Sequence, residues 1–362
     1  MRTQSLSWLA CPAAGCEGAL SPGDSPQARW GDTGGAELLE GVLECGGCGA
    51  RYPVILGVAL LSMDLQSYLW TFWTEIESCA ALTPQGVSRE MVQYLGIPSA
   101  FTGQAGPPAE ADHDLEWSTS PYLQTHFDSR SLTDELDEGW WRDAVQSHLV
   151  DSSNPYSYLM EAVLNSSGRR GGGLAVEVGT SVGRGSAELA GCYEYSLGVD
   201  QSFRAILAAR SLLLGEPARM TSYRVQTEKG RWEAKNLTVP TDIANLDFVV
   251  ASGNALPVRS SGASCVAAVN VLCAVSEPLA MLDELARILA RRGTVLISSP
   301  FWSDSDPDGE SPLALGGPEF LRENLRRDFE VVSEKDMVPW LLRLAKRRWN
   351  VYLCHCVVAT RR

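Results

Sequence analysis

The segment Leu174–Gly185 constrains the fold more than any other part of the chain. Apolar residues at positions 174, 176 and 178 precede glycines at 179, 183 and 185. The apolar run predicts a buried strand, and the glycines predict a tight turn that lets the backbone pass close to a ligand before a helix begins. This order of elements indicates an open α/β sheet with a ligand at the carboxyl end of the strand.

A second short strand, Tyr195–Val199, ends in Asp200, which follows Glu177 by 23 residues. An acidic residue about 20 positions after the first strand is where such a sheet holds the hydroxyls of a ribose. The pair predicts a nucleoside-containing cofactor across two neighbouring strand ends. The spacing E-x-G-x-x-x-G-x-G differs from the G-x-G-x-x-G fingerprint that meets a pyrophosphate. Because the carboxylate of Glu177 would repel phosphate, it favours a cationic cofactor.

The glycine turn resembles the first motif of class I methyltransferases, and Asp200 resembles the acidic residue of their second motif. This resemblance implies S-adenosylmethionine as the cofactor. It also implies an α/β fold with a doubly wound, mostly parallel, seven-stranded Rossmann-like sheet. The residues expected at the cofactor are Glu177, Gly179, Thr180, Gly183, Gly185, Asp200, Gln201, Asn254, Ala255 and Asn270.

Later segments extend the resemblance. Leu246–Ala251 reads as a strand, and Ser252–Pro257 after it is similar to the family's G-D-A-x-x-L-P motif, with Asn254 in place of the acid. The family's acid contacts the adenine amino group, and the amide oxygen of Asn254 can still accept that hydrogen bond. Ser264–Leu272 is a continuous apolar strand of the kind found in a parallel sheet covered on both faces. Asn270 ends it.

The stretch Glu277–Phe301 also resembles class I methyltransferases. Here Ser276 is expected to cap a helix that has Pro278 in its first turn. Leucines at 279, 282, 285 and 289 predict one apolar helical face.

Two cysteine pairs near the start, Cys11 with Cys16 and Cys45 with Cys48, supply the four soft ligands that tetrahedral zinc prefers. Residues 45–57 resemble the C-x-x-C-G-x-x-Y-P-V-x-x-G ending of Trm112-like zinc domains. The first pair departs from that family because four residues separate its cysteines. A zinc ion on four sulfurs has no open position, so its role would be structural. Free thiols, or a site that has lost its metal, are the alternative.

These features divide the chain into a zinc ribbon at residues 1–62, a helical linker or cap at 63–155, and a class I methyltransferase domain at 156–362. Residues 104–114 read as a polar linker within the cap. Aromatic residues are dense at 65–76 and again at Trp140–Trp141. Such stripes are typical of core packing, and a lid over an acceptor pocket is the functional alternative.

From Leu174 onward the chain further resembles the methyltransferase portion of ovothiol-forming enzymes, which methylate a ring nitrogen of mercaptohistidine. The similar pieces are residues 183–190, 299–302, 315–317, 338–343 and 346–348, with Tyr122–Phe127 before the domain. The resemblance implies a small polar acceptor with a nitrogen or sulfur nucleophile, of imidazole, amine or thiol type.

We therefore expect Tyr122 and His126 to cap the acceptor and Arg343 to grip an acidic group on it. A satisfied structural histidine and a packing arginine are the alternative interpretations. Phe301 and Trp302 are expected either to wall the pocket or to pack in the core. Cys354 and Cys356 flank His355 on the final strand. Their alternation indicates buried strand residues and not metal ligands.

The formal charge of −14 over 362 residues disfavours a nucleic-acid partner. No apolar run reaches the roughly 18–20 residues of a membrane span. Ten cysteines in a chain of this size indicate thiols and metal ligands, and hence a cytoplasmic setting.

Two other functions stay open. One is an RNA base methyltransferase, since some rRNA guanine enzymes begin with a zinc module. The other is a non-catalytic scaffold or activator, which Asn254 would support. A homo-oligomer, or a protein partner at the zinc domain, is also compatible with the sequence.

Overall fold

A computed structural model describes residues 1–23, 28–31, 36–81, 83, 86–97, 119–128, 142–143, 146, 154–167, 171–215, 222–228, 231–237, 239, 242–302, 312–345 and 347–362. The predicted linker at 104–114 and the Trp140–Trp141 pair lie outside these residues. Within them, no helix combines the length and the apolar composition that crossing a bilayer requires.

Helices and strands alternate through the second half of the chain, as the glycine motif predicts. The helices are α1 (Leu65–Ala81), α2 (Arg89–Tyr94), α3 (Pro155–Ser167), α4 (Arg184–Ala190), α5 (Phe203–Leu213), α6 (Pro278–Ile288) and α7 (Pro312–Leu325, with a kink at Gly317); residues 119–127 are also helical. The strands are β1 (Leu20–Pro22), β2 (Arg29–Trp30), β3 (Leu38–Cys45), β4 (Arg51–Ile55), β5 (Val58–Leu60), β6 (Gly171–Val178), β7 (Tyr193–Asp200), β8 (Ser222–Glu228), β9 (Arg231–Asn236), β10 (Leu246–Val250), β11 (Ala263–Val269), β12 (Leu289–Ser299), β13 (Phe329–Ala345) and β14 (Arg348–Arg361).

The centre of the main sheet has the order β10-β7-β6-β11-β12-β14-β13. The first five of these strands are parallel, and β14 runs antiparallel to both of its neighbours. The chain leaves β6 in one direction to β7 and β10 and later returns to β11 on the other side. The predicted doubly wound, mostly parallel, seven-stranded sheet is therefore confirmed. Its topological switch point lies between β6 and β11, where such folds bind ligands.

The sheet is larger than the sequence predicts. Among the described residues it has twelve strands: β5 pairs in parallel with β10, β4, β3 and β1 continue outward from β5, and β2 pairs with β3 off this path. Two register pairs, Ala59 with Val249 and Leu60 with Val250, form this junction. The strands β1 to β5 thus extend the central sheet. The domain boundaries at residues 62 and 155 stay predictions.

A buried group of charges lies behind the same junction. The guanidinium of Arg210 on α5 is fully buried and forms ion pairs with Asp247 on β10 and Glu37 beside β3. Loss of one partner from such a group leaves a buried charge without compensation, which is strongly destabilising. These ion pairs fix the position of the N-terminal strands against α5 and β10.

Helix α6 departs from its prediction in detail. Glu277 occupies the cap position, so the assignment of Ser276 is wrong by one residue, and Pro278 begins the helix. Leu282 and Leu285 are buried as expected, but Leu279 is exposed. A proline at the first helical position needs no hydrogen-bond donor, because the first amides of a helix have no partner inside it.

Candidate functional site

A cavity of about 420 Å³ opens at the carboxyl ends of β6, β7, β10 and β11. The strands end level with one another, since Val178 pairs with Val199, and Asp200 with Val250. A crevice at this position is the usual ligand site of an open α/β sheet. The residues that line the cavity include both polar and aromatic side chains: Thr119, Tyr122, His126, Tyr156, Gly179, Ser181, Asp200, Gln201, Gly253, Asn270, Cys273, Trp302, Trp340 and Tyr352.

The glycine turn forms one wall of the cavity. Gly179 has a φ of 73°, and a Cβ there would lie 2.5 Å from the side chain of Val271. Its amide donates to the carbonyl of Val199 at 2.8 Å, which ties the turn to β7. Only glycine meets both requirements, because other residues rarely adopt this φ and bring a side chain.

Asp200 lies at the end of β7 and lines the cavity. Its carboxylate accepts from the amide of Ser181 at 2.8 Å and from the amide of Ser202 at 2.9 Å. Burial raises the pKa of this carboxyl. A carboxylate has about four acceptor positions, so two amides leave capacity for the hydroxyls of a ligand.

Glu177 occupies a different place from the one expected. It does not line the cavity; its buried carboxylate lies beneath the turn and accepts from Thr180 Oγ1 at 2.6 Å and from Ser186 N at 2.6 Å. Burial raises the pKa of Glu177 to about 7. A Cβ at Gly185 would lie 2.2 Å from its Oε1 atom. Glu177 therefore holds the turn together, and its expected contact with a cationic cofactor stays a prediction.

The other predicted cofactor residues divide into two groups. Gln201 and Asn270 line the cavity, and Asn270 Oδ1 accepts from Ser298 Oγ at 2.7 Å. The residues that lie outside the lining are Thr180, Gly183, Gly185, Asn254 and Ala255. Thr180, Gly183 and Gly185 instead shape the turn and the start of α4. In the segment Ser252–Pro257, Gly253 lines the cavity, whereas the sequence predicted that Asn254 and Ala255 would do so.

The opposite end of the cavity is aromatic. Residues 119–127 bring Tyr122 and His126, and the β13–β14 hairpin brings Trp340 and Tyr352. The ring centroids of Trp340 and Tyr352 are 5.3 Å apart, and those of Tyr122 and Trp340 are 6.1 Å apart. Trp302 continues this wall at 6.1 Å from Tyr352. Such spacings are typical of interacting rings, so the wall is one continuous apolar surface.

His126 is buried in this wall, with a ring centroid 5.1 Å from that of Tyr156. Its Nε2 atom has no hydrogen-bond partner among the described residues. Burial, with the nearby charge of Arg184, lowers the pKa of His126 to about 3. The ring is therefore neutral at physiological pH, and it offers a hydrogen-bonding atom in a cavity whose other wall residues are largely apolar.

Arg343 is not among the described residues that line this cavity, and its expected grip on the acceptor stays a prediction. It is buried on β13, and its guanidinium lies 5.3 Å from the ring of Trp349, a cation–π contact. Phe301 also lies outside the lining and packs against His355 at 6.2 Å, whereas Trp302 lines the cavity. Cys354 and Cys356 are fully buried on β14, as predicted.

Residues 176–297 match the family described as "Methyltransferase domain". The chain carries a class I, S-adenosylmethionine-dependent methyltransferase domain. The glycine turn, Asp200 and Asn270 all lie within the matched residues. Comparison with curated proteins gives no match.

Solved structures similar to the chain include MccD protein, at 16% identity over 59% of this chain and 100% of that one, with a TM-score of 0.39. The YcgJ protein from Bacillus subtilis matches at 11% identity over 57% of this chain and 98% of its own, with a TM-score of 0.39. A chain from a complex that contains the Haloferax volcanii Trm112 methyltransferase activator matches at 16% identity over 57% and 89%, with a TM-score of 0.37.

The four predicted metal ligands of the methyltransferase come together at the far end of the sheet. The sulfur atoms of Cys11, Cys16, Cys45 and Cys48 all lie within 4.8 Å of one another. Cys11 and Cys48 are 3.7 Å apart, and Cys16 and Cys45 are 3.5 Å apart. Zinc–sulfur bonds of about 2.3 Å at tetrahedral angles place sulfurs about 3.8 Å apart, so this donor set fits zinc. The longer spacing of the first pair does not prevent Cys16 from joining the cluster.

Sequence reasoning missed several lining residues of the methyltransferase, including Tyr156, Trp340 and Tyr352. A signal for Trp340 was present. In a strand, residues three apart point to opposite faces. Trp340 and Arg343 therefore had to face different sides of β13, and only one of them could line the cavity.

Proposed function

We propose that this methyltransferase transfers the methyl group of S-adenosylmethionine to a small acceptor bound at the aromatic end of the cavity. The observation that carries the proposal is one cavity with two distinct ends. Gly179 and Asp200 lie at one end, and His126, Trp340 and Tyr352 lie at the other. A cofactor and an acceptor that share such a cavity can bring a methyl group and a lone pair together.

At the first end, the carboxylate of Asp200 would accept from the ribose hydroxyls. The backbone at Gly179 and Gly253 would let the cofactor approach the strand ends closely. Glu177 would act through the turn that it holds, since its carboxylate bonds to Thr180 and Ser186. Bound here, S-adenosylmethionine supplies an electrophilic methyl group on a sulfonium.

At the second end, the wall favours a small acceptor with a nitrogen or sulfur nucleophile, and an imidazole-type ring fits it best. Flat rings gain from stacking on Trp340 and Tyr352, whereas aliphatic amines and thiols gain less. No Lys or Arg is among the described residues that line the cavity. None of these lining residues offers a cation to an acidic group on the acceptor, and the role expected of Arg343 stays a prediction.

Positioning is the main contribution that these residues make to the reaction. Holding two reactants in line can lower a barrier by about 7–11 kcal/mol at most. His126, with a pKa of about 3, is a poor proton acceptor at neutral pH. We infer that its neutral ring forms a hydrogen bond that orients the acceptor, and that the acceptor's proton leaves to water.

We also propose that Cys11, Cys16, Cys45 and Cys48 bind a structural zinc ion. The clustering of their sulfur atoms supports this. A protein partner or a second copy of the chain at this region stays a prediction.

Two measurements test the proposed function. Calorimetry should show that the protein binds S-adenosylmethionine and S-adenosylhomocysteine; no binding of either would favour the scaffold alternative. Incubation with methyl-labelled cofactor and separate metabolite and RNA fractions, followed by mass spectrometry, should label a small metabolite. Label in the RNA fraction alone would overturn the proposed acceptor class.

A further inference from the structure

The helical residues 119–127 carry Tyr122 and His126 of the aromatic wall (the acceptor wall), and the C-terminal end of this segment is bonded to Arg184, which follows the glycine turn of residues 179–183 (the cofactor turn). Arg184 follows Gly183 directly and begins α4. Its Nη1 atom donates to the backbone carbonyl of His126 at 2.6 Å. Carbonyls in the last turn of a helix have no partner inside the helix, so a guanidinium there satisfies one of them.

Other contacts show that the position of Arg184 is well defined. Its Nε atom donates to Glu188 at 2.6 Å within α4. Its guanidinium also lies 5.8 Å from the ring of Tyr156, which lines the cavity beside His126. One side chain therefore contacts the start of α4, the end of segment 119–127 and the aromatic wall.

The β8–β9 hairpin holds the same segment from another side. Tyr223 donates its hydroxyl to Asp128 at 2.9 Å, and the amide of Arg224 donates to Ser120 Oγ at 3.2 Å. Tyr223 itself is buried. The hairpin thus holds the described part of this helix at Ser120 and at Asp128.

We propose that Arg184 is a positioning residue that couples the cofactor turn to the acceptor wall, so that an occupied cofactor site orders segment 119–127. This inference rests on the proposed function. Helical stability in proteins comes mostly from tertiary packing, so the order of this segment depends on its contacts with the rest of the fold. A bound cofactor would rigidify the turn after Gly179 and with it Arg184. The hydrogen bond from Arg184 to the carbonyl of His126 would then stabilise the position of His126. Tyr223 anchors the segment independently of the cofactor.

Hydrogen exchange of residues 119–128 tests the coupling without knowledge of the acceptor. In the wild-type protein, S-adenosylhomocysteine should slow exchange in this segment at least fivefold. Arg184→Met should abolish that response while the dissociation constant for S-adenosylhomocysteine changes less than threefold. Tyr223→Phe should raise exchange in the free protein and keep the response to the ligand.

Matched variants separate this role from a purely structural one. Glu188→Gln removes the ion pair within α4 but leaves the donor to His126, so it should respond as the wild type does. Arg327→Met removes an exposed arginine that pairs with Asp283 and serves as the control for loss of charge. Arg184→Lys should restore part of the response, because lysine keeps a donor but not the planar fork.

Three outcomes would overturn the inference. One is an unchanged response in Arg184→Met, the second is a response lost equally in Glu188→Gln, and the third is a wild-type protein that binds the ligand with no slowing in 119–128. Failure of the proposed function has a different signature, which is no binding of S-adenosylhomocysteine at all. With an acceptor in hand, Arg184→Met should raise the acceptor KM about tenfold and leave the cofactor KM within threefold.

Discussion

The two ends of the cavity are built in different ways. The cofactor end comes from the ends of neighbouring parallel strands, and includes Gly179 and Asp200. The acceptor end comes from side chains on segment 119–127, α3 and the β13–β14 hairpin, which are far apart in the chain. A contiguous motif can encode the first kind of surface. The second kind exists only once distant segments have packed together.

The two ends also differ in charge. Of the described residues that line the cavity, one is an Asp, Glu, Lys or Arg. That residue is Asp200, and it lies at the cofactor end. The acceptor end has neutral rings and a neutral His126. Changes at one end should therefore alter affinity for one ligand and leave the other nearly unaffected, and the following predictions test that separation.

Removal of the proposed zinc ion should have the largest effect on stability. It should also weaken binding at the cofactor end. Strand β5 pairs with β10, and Tyr68 on α1, just after β5, donates to the carbonyl of Gln201 at 2.9 Å. Structural zinc contributes directly to folding free energy. We expect Cys45→Ser to lose zinc by elemental analysis and to lower the Tm by roughly 5 °C, equivalent to about 4 kcal/mol for a chain of 362 residues.

In the same experiment, affinity for S-adenosylhomocysteine should fall at least tenfold. Cys192→Ser, a buried cysteine outside the cluster, is the control. A Cys45→Ser protein that keeps its Tm and its affinity would show that the ribbon does not support the cofactor end.

Protonation of Glu177 should make stability depend on pH. Its folded pKa of about 7 exceeds the ordinary value of 4.5, so the folded state holds a proton that the unfolded state has lost between these pH values. Stability therefore falls as pH rises from 4.5 to 7, by about 3 kcal/mol at 1.36 kcal/mol per pKa unit. Urea unfolding at pH 5 and pH 7.5 should show this loss in the wild type and a smaller loss in Glu177→Gln. If the free energy of unfolding fell equally in both proteins, protonation of Glu177 would not be the cause of the pH dependence.

Replacement of Asp200 by Asn should weaken the cofactor end alone. The variant keeps the size of the side chain but loses the charge that strengthens hydrogen bonds to ribose hydroxyls. Hydrogen bonds to charged groups contribute about 1.5–3 kcal/mol, so the dissociation constant for S-adenosylhomocysteine should rise about 10- to 100-fold. Calorimetry provides the measurement. A change under twofold would mean that the ribose binds elsewhere.

Trp340→Ala should have the smallest effect, at the acceptor end. Loss of a ring on which the acceptor would stack should weaken acceptor binding by about 0.5–1.5 kcal/mol beyond the lost area, a rise in KM of at least twofold. Trp70→Ala, at an exposed tryptophan, is the matched control. Affinity for S-adenosylhomocysteine should not change in either variant, and an equal loss for both ligands would break the separation of the two ends.

The amino-acid sequence was enough to predict the glycine turn, the acid after the next strand and the centre of the sheet. An apolar run, three glycines and an acid one strand later lie within a few tens of residues, and local sterics and burial fix what such a run can form. Gly179 and Asp200 could be placed from this pattern. The alternation along β13 would also have separated Trp340 from Arg343.

Tertiary structure alone decided the rest. The position of the Glu177 carboxylate beneath the turn, the junction of β5 with β10 and the meeting of His126 with Tyr156 all depend on sheet order and register. Contacts between residues far apart in the chain form only when the whole core packs. Each contact is weak by itself, and only their sum favours one arrangement over the others. No local pattern carries that information.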